Sequence, residues 1–263
     1  MEYIDQNRYP LDTPQSAEYA QLVAQSRAAL ARDGLFNLPG FFTPAALQST
    51  LDHVTPVINA HAFTHARDHN IFFDDSIQAD ATVLKRFKTT NHTICADQIE
   101  GSPITQLYDW PAFHGFLADC LGKTALYPMD DRIACANVMT YYPGEALNWH
   151  FDRAEFTTTL LLQAPLGGGA FEYVQDLRSA EDPNFAGIRA LHQGDITPQS
   201  LTQDAGTLCV FHGVNTPHRV TPVQGDTPRI VAVFTFFETP NQRFSSKDRM
   251  GFYGRDTAWG AMQ

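Results

Sequence analysis

His150-Phe151-Asp152, with the strand-like run Phe156-Thr157-Thr158-Thr159-Leu160-Leu161-Leu162-Gln163 directly behind it, is the stretch on which the reading of this chain turns. Side chains two apart on an extended segment project to the same side, so an imidazole and a carboxylate at this spacing can hold one ion. His218, from a distant segment, supplies a second imidazole. Two imidazoles and one carboxylate cover one face of an octahedron and leave the other positions open, a set suited to ferrous ion. An isolated H-x-D is more often a surface histidine beside a solvated aspartate, so the surroundings have to decide.

Outward from that stretch, the pattern is one of short strands joined by Gly and Pro turns. Asn137-Val-Met-Thr-Tyr141-Tyr-Pro-Gly144 is β-rich and runs into a turn, and Gly167-Gly168-Gly169 breaks the chain before Ala170–Val174 resumes it. Gly206–Phe211 reads as a buried strand leading to Pro217-His218-Arg219-Val220, and Pro228–Phe237 is the longest apolar strand. β-branched and aromatic enrichment with regular turns predicts a mainly β fold, a small double-sheet barrel of the jelly-roll or cupin type. On it, His150, Asp152 and His218 sit at strand ends or turns, where they can converge.

Helices come first. The spacing of Tyr19, Leu22, Val23, Ser26 and Leu30 predicts a helix from Thr13 to Asp33, with Thr13-Pro14 as cap and first turn and Gly34 as its stop. Leu35–Leu38 reads as an edge strand, Thr43 as the cap of a second helix, and Trp110–Leu121 as a short helix. This layer is expected to pack on one sheet of the barrel. His61 to Ser102 reads as polar and irregular, and 176–202 as a long insertion of the kind that forms lids or binding loops. A single domain over 1–263 is expected: a helical layer and irregular segment over 1–131, the barrel core over 132–238 and a C-terminal extension over 239–263.

The singled-out residues have duller readings beside the functional ones. His61, His65 and His69 are four apart, which on a helix could build a metal site. They lack the glutamate of the zincin motif and read better as solvated or partly packed. His212 competes with His218 for the metal. Arg229 opens an apolar strand, where an unpaired guanidinium would be costly, so an anionic partner is expected. Asn137 and Tyr141 share a strand face and could hydrogen-bond a cosubstrate, with core packing an almost equal explanation for Tyr141. Thr235 lies on the face of Arg229 by parity, as a pocket lining or a buried threonine.

From Ala134 to Phe237 the chain resembles the double-stranded β-helix core of the Fe(II)/2-oxoglutarate-dependent oxygenases. The resemblance rests on Tyr141-x-x-Gly144, His150-x-Asp152, Gly206-Thr-Leu, His218-Arg-Val and Pro228-Arg229. The eleven-residue step from His218 to Arg229 matches the family spacing, which favours His218 over His212. Leu38-Pro-Gly-Phe-Phe42, Gly168-Gly-Ala-Phe171, Phe211-x-Gly213 and Phe252-Tyr-Gly-Arg255 are similar to the BesD-type hydroxylases and halogenases of free amino acids. The resemblance implies His150, Asp152 and His218 as iron ligands and catalytic residues. It implies Fe(II), 2-oxoglutarate and O2 as cofactors, with Arg229 on the far carboxylate of 2-oxoglutarate. It also implies a weak visible charge-transfer band for the iron–2-oxoglutarate chelate. Halogenases of this group carry Gly or Ala where Asp152 stands, leaving a position for chloride, so this chain is expected to hydroxylate. The implied substrate is a free amino acid or close derivative, held near the mouth by Arg86, Asn148, Trp149, Arg153 and the 176–202 segment. Two alternatives stay open: a cupin-type zinc or manganese enzyme without 2-oxoglutarate, and a non-catalytic metabolite-binding barrel.

Composition is compatible with this. A net charge of -11 argues against nucleic acid and anionic membrane as partners. The start, Met1-Glu-Tyr-Ile-Asp, lacks the apolar run of a signal peptide, and no stretch approaches the roughly 18 apolar residues of a membrane span. A reducing cytoplasm is the expected setting. Cys95, Cys120, Cys135 and Cys209 show no C-x-x-C spacing, and Cys135 and Cys209 read as buried thiols in apolar strands.

Overall fold

A computed structural model describes residues 1–261; residues 262 and 263 of the expected C-terminal extension lie outside the described residues. Two antiparallel sheets build a jelly roll. The larger runs in the order Leu35–Leu38, Leu208–Phe211, Thr157–Gln163, Arg229–Phe234, Ala136–Tyr141, Phe87–Cys95 and Phe63–His69. The smaller runs Gln199–Leu201, Phe171–Tyr173, His218–Val220 and Leu147–His150.

Alternation along the large sheet decides what each face does. Val138, Leu160, Leu162, Leu208, Val210, Ile230, Ala232 and Phe234 join the main apolar core. That core also holds Leu22 and Leu30 of helix Ala17–Asp33, Val54 and Ile58 of helix Pro44–His61, and Phe113 and Phe116 of helix Pro111–Leu121. Each of these side chains other than Ala232 contributes about 1.5–3 kcal/mol by burial, and together they dock the helical layer on this sheet. The opposite face looks into the barrel and is more polar. It carries Tyr141, Leu161 and Val231 in one small cluster and Cys209 and Phe211 in another. The outer face of the small sheet buries Trp149 and Phe151 against Ile71, Val83, Ile188 and Leu191, the last two from helix Phe185–Gln193.

Three expectations change. The first helix starts at Ala17, because Ser16 and not Thr13 accepts the free N–H of Tyr19 at 3.1 Å. The supposedly irregular 61–102 segment contains two strands, Phe63–His69 and Phe87–Cys95, paired in the register Arg67↔Thr89. His65 and His69 therefore sit on a strand, and only His61 ends a helix. The 176–202 insertion is structured, with helix Phe185–Gln193 and strand Gln199–Leu201. Leu35–Leu38 is an edge strand and Thr43 caps the second helix, as expected. The four cysteines are free and buried.

Candidate metal centre and active site

His150 and His218 lie directly opposite each other on paired strands of the small sheet, with ring centroids 4.1 Å apart. Each ring is fixed in the same way. His150 Nδ1–H donates to the Asn148 carbonyl at 2.8 Å, and His218 Nδ1–H donates to the Thr216 carbonyl at 3.0 Å. A carbonyl can only accept, so Nδ1 carries the proton in both and both Nε2 lone pairs are free. The two Nε2 atoms converge on one oxygen: Asp152 Oδ1 is 3.4 Å from His150 and 3.5 Å from His218. The three residues offer ligand atoms that all lie within 4.8 Å of one another. Ligands at right angles on an ion with bonds of about 2.1 Å stand about 3 Å apart, so these atoms can close on a metal by drawing together.

Asp152 is held from behind. Thr157 Oγ1–H donates to its other oxygen, Oδ2, at 2.6 Å. Its backbone N–H donates to the Gly213 carbonyl at 3.1 Å. A Cβ at Gly213 would stand 2.1 Å from Asp152 Oδ2 and 2.8 Å from Asp152 Cβ, so glycine there is a requirement of space. Burial pushes the Asp152 carboxyl up, but the imidazoles of His218 and His150 outweigh it and hold it well below its usual range. Burial, then the neighbouring His218, pulls His150 down. An ionised carboxylate with two imidazole Nε2 atoms facing it is a donor set that a metal can take.

Arg229 faces into the barrel directly across from Tyr141 in the strand register. Its side chain is buried, its Nε has no hydrogen-bond partner, and its guanidinium carbon is 6.0 Å from the Tyr141 ring centroid. Burial pulls its pKa down. A buried guanidinium without a counter-charge is costly, which leaves it suited to an anion that enters the barrel. Gly169, at φ +62, makes room, since a Cβ there would stand 3.3 Å from Arg229 Cδ. Burial pushes the Tyr141 phenol up to about 12, so it stays a neutral donor.

The structure brings the three candidate ligands together and sets Arg229 beside Tyr141. Asn137 lies further along its strand, opposite Val233, with its amide donating to the Ile133 carbonyl and accepting from Tyr253 OH. Thr235 is half-buried just past the Arg229–Phe234 strand, and its carbonyl accepts from Tyr108 OH. Asn148 donates to the Lys88 carbonyl. Trp149 points to the opposite face from His150, under the guanidinium of Arg219. Arg86 pairs with Asp75, and Arg153 with Asp248. His212 is half-buried and is not among the residues that converge on the ion site.

Sequence reasoning missed a wall of the site. Phe73 places its ring 5.4 Å from His150 and 4.1 Å from His69. His69 Nδ1–H donates to the Asn70 carbonyl, and its Nε2 accepts from Thr89 Oγ1, which in turn accepts from the Asn148 N–H. Asn148 is the residue whose carbonyl orients His150, so this chain of hydrogen bonds supports the ligand from outside. Burial pulls His69 down to about 4, which keeps it neutral in that role.

The model of the family described as halogenase D matches residues 19–250. The chain belongs to that family. It is a member of the Fe(II)/2-oxoglutarate-dependent oxygenases, in the BesD-type group. Among curated proteins, none matches it in sequence. Solved structures share its fold. A 2OG-Fe(II) oxygenase-family oxidoreductase from Burkholderia pseudomallei is 16% identical, covering 84% of this chain and 92% of the other at a TM-score of 0.52. A prolyl hydroxylase from Trichoplax adhaerens, in complex with a peptide fragment of hypoxia inducible factor, is 13% identical over 84% and 92%, at 0.53. The alpha ketoglutarate dependent epimerase SnoN of nogalamycin biosynthesis is 12% identical over 83% and 83%, at 0.57. Among the described residues, no helix is long and apolar enough to cross a membrane.

Proposed function

We propose that this family member hydroxylates an unactivated C–H bond of a small substrate, a free amino acid or close derivative. Fe(II) with 2-oxoglutarate and O2 supplies the oxidising power, and succinate and CO2 leave with the product. His150, Asp152 and His218 hold the iron through two Nε2 atoms and one carboxylate oxygen. Arg229 and Tyr141 bind the far carboxylate of 2-oxoglutarate, the guanidinium through its planar fork and the phenol as a neutral donor. The barrel walls exclude water and fix the substrate carbon near the open iron positions. The polar residues near the mouth, Arg86, Asn148 and Arg153, contribute to substrate selection, and the 176–202 segment covers the outer face. The setting is the cytoplasm and the partner a small molecule.

The family's description as halogenase D favours a second reading, C–H halogenation. One observation weighs against it: Asp152 is present and pinned by Thr157 and by the space over Gly213. A carboxylate in that place takes the coordination position that halide would need. The test is to add Fe(II) and 2-oxoglutarate anaerobically, record the weak visible charge-transfer band, admit O2 and a panel of L-amino acids, and read product masses. A zinc or manganese cupin gives no band. A binding-only barrel gives no turnover.

A further inference from the structure

Arg67 is the cation in this molecule with the least explained surroundings. It lies on strand Phe63–His69, opposite Thr89, on the same strand face as His69. Its guanidinium carbon is 3.8 Å from the Phe73 ring centroid, and the Phe73 ring is in turn 5.4 Å from the ring of His150. Phe252, from the C-terminal helix Ser246–Tyr253, comes within 6.0 Å of the same guanidinium. Its Nε is buried without a partner, and no carboxylate pairs with it among the described residues. The other cations of this wall are occupied: Arg86 binds Asp75 and the Asp68 carbonyl, and Arg153 binds Asp248. Asp248 is also tied to Ser245. Burial, and then repulsion from Arg153, pulls the pKa of Arg67 down.

Phe73 adds a second, independent observation. Its φ is +53, a left-handed conformation that is an outlier for a bulky residue. Such strain persists where the surroundings enforce it, and it clusters at ligand sites. Here it places the ring between Arg67 and the iron ligand. A guanidinium with its face against an aromatic ring keeps its N–H edge for a planar anion, and a carboxylate matches that fork with two parallel hydrogen bonds.

From this placement we infer that Arg67 anchors the carboxylate of the substrate, with Phe73 setting the distance between that anchor and the iron. The inference rests on the oxygenase reading and deepens it. The site selects small carboxylic acids and rejects their amides. Arg67 is separate from Arg229, which serves the cosubstrate.

The experiment is anaerobic calorimetry on the protein loaded with Fe(II) and 2-oxoglutarate, titrated with L-amino acids and with their carboxamides. The wild type is expected to bind at least one acid about 10–100-fold more tightly than its amide, the scale of hydrogen bonds to a charged group. Arg67→Met keeps the stem that packs on Phe73 and is expected to bind acid and amide alike. Arg67→Lys is expected to fall between, and both variants should keep wild-type 2-oxoglutarate affinity. Equal binding of acid and amide by the wild type overturns the inference. So does undiminished acid binding by Arg67→Met, or binding by none of the acids while the iron–2-oxoglutarate band forms normally. Failure of that band in the wild type overturns the oxygenase reading, and this inference with it.

Discussion

Replacing Gly213 by alanine tests the iron site without touching a ligand. The added Cβ would stand 2.1 Å from Asp152 Oδ2, 2.7 Å from its Cγ and 2.8 Å from its Cβ. Rotating the carboxylate about χ1 clears the first two contacts and leaves the third, because Cβ does not move in that rotation. The segment carrying Asp152 must therefore shift. It is tied to Gly213 by the Asp152 N–H to Gly213 carbonyl bond, so the strain falls on the carboxylate's aim and on its 2.6 Å bond from Thr157. The φ of Gly213 lies outside the left-handed region, so the alanine backbone itself is unstrained. Overpacking of this kind costs about 1–3 kcal/mol of stability. Loss of a support that orients a metal ligand typically costs about 10–100-fold in metal affinity or activity. Anaerobic Fe(II) titration should show a drop of that size for Gly213→Ala. Thr157→Val, which removes one hydrogen bond and adds no clash, should show a drop of about tenfold. Circular dichroism should show both variants folded. Unchanged iron affinity in a folded Gly213→Ala would show that this packing does not hold Asp152 at the metal.

Other outcomes follow from the same geometry. His218→Ala should abolish iron-dependent turnover while His212→Ala retains iron, and the reverse result would move the distal ligand to His212. Arg229→Gln should weaken 2-oxoglutarate by about 10–100-fold in a binding titration. It should not lower the melting temperature of the ligand-free protein, since it removes an unpaired buried charge; unchanged affinity would assign the cosubstrate to another cation. His69 is pulled from an ordinary value of 6.5 to about 4, chiefly by burial. The unfolded chain then binds more protons between these values, so this contribution is present above pH 6.5 and is lost as pH falls toward 4. His69→Gln should flatten the fall in urea midpoint over that range, and an equal fall in both proteins would remove His69 as its source.

What could be read from the sequence divides along physical lines. His150, Asp152 and His218 were legible because strand parity and spacing are local, and the structure places their ligand atoms around one point. Arg229 stands out because a charge at the head of an apolar strand demands an explanation, and the structure sets it across from Tyr141 with its Nε unpartnered. The Phe63–His69 and Phe87–Cys95 strands were not. Their inward face carries His65, Arg67, His69, Thr89 and Asn91 in place of apolar residues, so no period-2 hydrophobic contrast marks them. The wall with Arg67 and Phe73 therefore carries no mark in the local sequence pattern. Thr157 and Gly213 belong to the same lesson. In the sequence Thr157 is one more β-branched strand residue and Gly213 is one glycine in a Phe-x-Gly step. Their role depends on a contact across the fold that no single segment encodes.

We propose that Asp152 makes this halogenase D family member an oxygenating enzyme. The direct measurement is product mass after incubation of the protein with Fe(II), 2-oxoglutarate, O2, an amino acid substrate and excess chloride. The wild type is expected to add one oxygen atom to the substrate and no chlorine. Asp152→Gly, which loses a ligand and its orienting bond, is expected to be largely inactive, with at most a trace of chlorinated product. A chlorinated product from the wild-type protein would mean that Asp152 does not occupy the iron during turnover.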